Sequence, residues 1–128
     1  AMMKNAAITA YAVNDLYKAA TGYEGYTQAA LFVKAETIAN QPEAVKAFIE
    51  AVAASCEQAT TDVEAVANAA VALEILPNVK VATKAIPGCA VRFVNAADAR
   101  EQIEFTANID LSQFGGALPA DDFYYVAE

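Results

Sequence analysis

The chain has 128 residues, with eight Lys and Arg against sixteen Asp and Glu, no histidine, and a formal net charge of -8. That length suits one domain able to bury roughly two-thirds of its unfolded surface. The acidic balance excludes nucleic acid and anionic membrane surfaces as partners, because binding either one depends on clustered Lys and Arg releasing counterions.

The lack of histidine removes the residue most used for acid–base catalysis near neutral pH and the commonest metal ligand. No enzyme activity, cofactor or metal site is therefore expected. The hydrophobic share of 57% includes 32 alanines, which leaves a modest set of larger apolar residues to build a core and favours helices. Ala1-Met2-Met3-Lys4-Asn5 lacks the basic start and apolar run of a signal peptide, and no stretch approaches the ~20 apolar residues of a membrane span.

In chain order, Ala7–Val13 has the Ile, Thr, Tyr and Val content of a strand, after which Asn14 is placed to cap a short helix that Gly22 ends. Gln28-Ala29-Ala30-Leu31-Phe32-Val33-Lys34 is a nearly continuous apolar run with polar ends, the pattern of a centrally buried strand. Pro42 fits a first helical position, and Val45, Phe48, Ile49, Val52 and Cys56 recur at helical spacing, predicting an amphipathic helix of about four turns.

Thr61-Asp62-Val63-Glu64 reads as a capping box with Thr61 as the cap, opening a second helix that Pro77 closes. Asn78 can cap a third, stopped by Pro87-Gly88 ahead of an extended piece, Ala90–Val94. Asn95 starts a last helix over roughly Ala96–Ala107, with Ala99 and Ile103 on its inner face. Strand, helix, strand and then several helices is the pattern of an α/β protein with few strands. Such a strand count suits a piece of a larger sheet, or a unit that completes its sheet with another copy.

Several phrases in order resemble the substrate-binding proteins of ABC importers, the periplasmic-binding-protein type II family that serves nitrate, sulfonates and thiamine-pyrimidine precursors. They are Asn14-Asp15-Leu16-Tyr17 with Thr21-Gly22, Gly25 through Lys34, Asn40-Gln41-Pro42-Glu43 through Phe48, Ala85-Ile86-Pro87, and Gly115 through Tyr125. The resemblance implies a two-lobed fold with Rossmann-like sheets. On that alignment residues 1–27 are a remnant of the second lobe, 28–34 a crossover strand, and 35–128 the helical C-terminal part of the first lobe. It further implies a solute-binding component that captures a small organic or anionic ligand by lobe closure, delivers it to a membrane permease, and works outside the cytoplasm. The rival expectation is a stand-alone or truncated α/β unit that forms a homo-oligomer and binds no ligand of its own.

On that resemblance Tyr26, Thr27 and Gln28 precede the crossover and are the candidate ligand-binding residues; the plainer reading makes them turn and strand-end residues. Asp121-Asp122 reads as a solvated turn, since two adjacent carboxylates seldom supply the several oxygens a hard cation needs. Gly115-Gly116 lacks the Lys and Ser or Thr of a phosphate loop and is a hinge or turn. Cys56 falls on an apolar helix face as a small hydrophobe, and Cys89 has no histidine base to make it a nucleophile. Whether the two cysteines are bridged depends on a spacing that sequence leaves open.

Overall fold

The structure, a computed structural model, describes residues 11–127. Six α-helices follow in order: α1 (Val13–Thr21), α2 (Ala35–Asn40), α3 (Pro42–Thr61), α4 (Val63–Ala72), α5 (Val79–Ala85) and α6 (Ala96–Ile109). Short 3₁₀ turns lie at Ile86–Cys89, Leu111–Phe114 and Asp121–Phe123.

No strand forms among the described residues, which overturns the α/β class and the partial Rossmann-like lobe. The run Gln28–Lys34 has strand composition, yet it forms no regular secondary structure and every residue in it is exposed. The physical reason is that strand preference measures fit against neighbouring strands, and an apolar run alone cannot supply them. Of the strand expected over Ala7–Val13, residues 7–10 lie outside the described residues, and Val13 already belongs to α1. The missing sheet also leaves the ABC-transporter class without a fold to stand on.

The chain divides into two compact units, one made of the described residues up to Leu31 with Ala99–Phe123, the other of Phe32–Asp98 with the described residues from Tyr124. In the first, Gly22 ends α1 in the left-handed conformation at φ 81, where a side chain would be strained, and its N–H donates to the Lys18 carbonyl. Ala107 of α6 is buried there.

In the second unit α2 packs on α3, α3 on α4, and α4 on α5, with the Ile86–Cys89 turn against all three of the last. Gln41 separates α2 from α3 because the residue before a proline is pushed out of the helical region, and Pro42 then begins α3. At the next junction α3 runs on through Thr61, whose hydroxyl donates back to the Glu57 carbonyl. Asp62 takes the capping role expected of Thr61, accepting from the Ala65 N–H at 3.1 Å. Asn78 caps α5 as its sequence predicts, accepting from Val81 N–H at 2.9 Å.

The core of this unit is Ala59, Ala67, Ala82 and Ile86, with Val63, Val66 and Leu76 among the residues packed against it. Alanine lets the helices approach closely, but burying a methyl group is worth only ~0.8 kcal/mol. No large side chain among the described residues is fully buried.

Candidate functional site

The three residues expected at a ligand cleft lie on the loop and irregular segment after α1. Tyr26 is half-buried with its ring 5.3 Å from that of Tyr17, tilted by 56°, whereas Thr27 and Gln28 are exposed. The structure thus brings Tyr26 to an aromatic neighbour and places Thr27 and Gln28 on the open chain beyond it. The loop is fixed from α6: the Gln102 side-chain amide donates to the Gly25 carbonyl, and Tyr23 Oη donates to Glu101 Oε1 at 3.2 Å. The Tyr23 ring also packs on that of Phe105, with centroids 5.3 Å apart and planes tilted by 58°. Desolvation, followed by the Glu101 contact, raises the Tyr23 phenol above its ordinary value.

Arg100 donates to Glu104 at 2.7 Å and to Asp121 at 2.6 Å, and these bonds raise its already high pKa, so it stays cationic. Asp121 is therefore an ion-pair partner of α6, and Asp122 follows it in the Asp121–Phe123 turn. Among the described residues no group of three or more Cys, Asp or Glu is placed to hold a metal ion. No helix among them is long and apolar enough to cross a membrane.

An open apolar groove of about 440 Å³ lies in the second unit between α3, α4 and the Ile86–Cys89 turn. Phe48, Val52 and Cys56 form its α3 wall, and Ile86, Cys89 and Val91 face them from the turn and the residues after it. Phe48 is 59% exposed at the groove and Val91 39%. A neighbouring hollow of about 580 Å³ shares Cys56 and is lined also by Glu57, Thr60 and residues 90–93.

This groove was only half legible in the sequence. The Phe48, Val52, Cys56 stripe at i, i+4, i+8 marks the apolar face of α3. An apolar face is expected to be covered, yet the structure leaves Cys56 half-buried and Cys89 exposed, both as free thiols. That both line one groove depends on the Ile86–Cys89 turn packing on α3, and no local signal records it.

Comparison with protein-family models, with curated proteins and with solved structures finds no match.

Proposed function

We propose that this chain is a helical association module whose open apolar groove is covered by a second copy of itself. The observation that supports the reading is the exposure of Phe48 at the lip of a groove lined by Val52, Ile86 and Val91, in a unit whose own core is mainly alanine. Burial at about 25 cal/mol per Å² makes that exposed apolar surface the main source of stability still to be gained. A protruding aromatic beside a hollow on the same surface is self-complementary, which is what a two-fold interface requires: each copy supplies knob and hole. The net charge of -8 opposes pairing at long range, so association is expected to strengthen as salt screens it.

Sedimentation and native mass spectrometry across a dilution series test the reading. The expected result is a reversible dimer favoured by added salt and abolished by Phe48→Asp, with helix content retained. A wild-type monomer at every concentration would overturn it. Monomers that retain a small molecule of reproducible mass would overturn it in favour of a ligand pocket.

A further inference from the structure

We propose that Cys56 and Cys89 form a dithiol site that closes to an intramolecular disulfide when it meets a low-molecular-mass disulfide. The two thiols are contributed by different elements and line one groove, Cys56 from α3 and Cys89 from the end of the Ile86–Cys89 turn. Those elements are packed against each other, so closure asks only for a local adjustment that brings the two Cα atoms within the ~4.4–6.8 Å a bridge demands.

The backbone around Cys89 has room to adjust. Gly88 has open space where a side chain would be, Ala90 is left-handed at φ 48, and residues 91–95 belong to no helix. Cys56, in contrast, is held within a 20-residue helix, more than a turn from its C-terminal end. One thiol is thus held in place and the other sits on an adjustable arm.

Exposure sets the order of events. Cys89 is exposed and Cys56 half-buried, so the Cys89 thiolate attacks one sulfur of the small disulfide, forming a mixed disulfide and releasing one small thiolate. The Cys56 thiolate then attacks Cys89 Sγ and displaces the second small thiolate. Two protein thiols are oxidised to one disulfide, the small disulfide is reduced to two thiols, and the protons lost by the cysteines are taken up by solvent and the leaving thiolates. The bond would tie α3 to the turn and close a loop over residues 57–88.

The wild-type chain is tested with oxidised glutathione at a dilution where it is monomeric, which keeps this question separate from association. Mass spectrometry follows the ratio of closed protein disulfide to glutathione adduct, in native buffer and in concentrated urea. Preorganisation is expected to raise that ratio at least ~10-fold in buffer over the flexible unfolded loop. Cys56→Ser is expected to stop at a single adduct on Cys89, and Cys89→Ser to react more slowly. Equal ratios in buffer and urea, or disulfide formed only between chains, would overturn the proposal.

Discussion

Tyr23 donates its phenolic hydrogen to Glu101 across 78 positions of sequence, joining the loop after α1 to α6 within the first unit. The ring packs on Phe105 from the same helix, so one side chain supplies both an apolar and a polar tie. Aromatic contact area is the larger contribution, because a hydrogen bond on a partly solvated phenol replaces one to water. Tyr23→Phe is therefore expected to lower the thermal midpoint less than Tyr23→Ala, with the two compared by circular dichroism.

The same contact makes stability depend on alkaline pH. Desolvation and the Glu101 carboxylate raise the folded-state pKa of Tyr23 above its unfolded value near 10. A group whose folded pKa is raised contributes stability that is complete below the unfolded pKa and is lost as pH rises through the folded one. Stability is expected to fall above about pH 10, with a smaller fall in Glu101→Gln. Phenolate absorbance gives a direct check: the Tyr23 phenol should ionise at lower pH in that variant than in the wild type.

Asn78 is placed to show how much of α5 depends on its cap. Its side chain accepts from Val81 N–H, and α5 has only seven residues to share the cost of its ends. Asn78→Ala is expected to cost about 1 kcal/mol in urea unfolding, and Asn78→Gly a few tenths. Equal and negligible losses would mean that packing of Ala82 and Ile86, and not the cap, holds this segment.

Local signals were the legible part of this fold. Pro42 at the start of α3, Asn78 before α5, Asn95 before α6 and Gly22 after α1 each act on backbone groups within four residues, so their chemistry can be read without knowing what lies across the molecule. Even the one-residue shift from Thr61 to Asp62 is local, because both side chains can accept from the same turn. Gln28–Lys34 is the opposite case. Its apolar run states a preference for burial, but a strand exists only through partners elsewhere, and the described residues provide none. The groove was obscured for the same reason, since whether Phe48 is covered depends on how much the Ile86–Cys89 turn can reach.

The alanines at the α4–α5 contact can be tested by adding volume. Ala67 and Ala82 are both 0% exposed, so the backbones of the two helices meet at a distance set by a methyl group. Ala67→Leu is expected to cost about 1–3 kcal/mol, because the larger side chain must push the helices apart or take a strained rotamer. An apolar enlargement that stabilised the protein would show that this contact contains unfilled space.

Glu74 ends α4 in a way its residue type disguises. Its N–H donates to the Val71 carbonyl and that of Ile75 to the Ala70 carbonyl at 2.8 Å, the paired bonds of a Schellman ending. That ending needs a left-handed residue, and Glu74 is at φ 57, where a Cβ crowds the following carbonyl at a cost of about 1–2 kcal/mol. Glycine has no such cost but gives the unfolded chain more freedom, so the gain from replacing Glu74 is smaller than the strain itself. Glu74→Gly is expected to raise stability by up to about 1 kcal/mol, and Glu74→Val, β-branched at the same φ, to lower it. Urea unfolding of the two variants side by side separates backbone strain from loss of the carboxylate: strain predicts opposite signs, and a charge effect predicts the same sign.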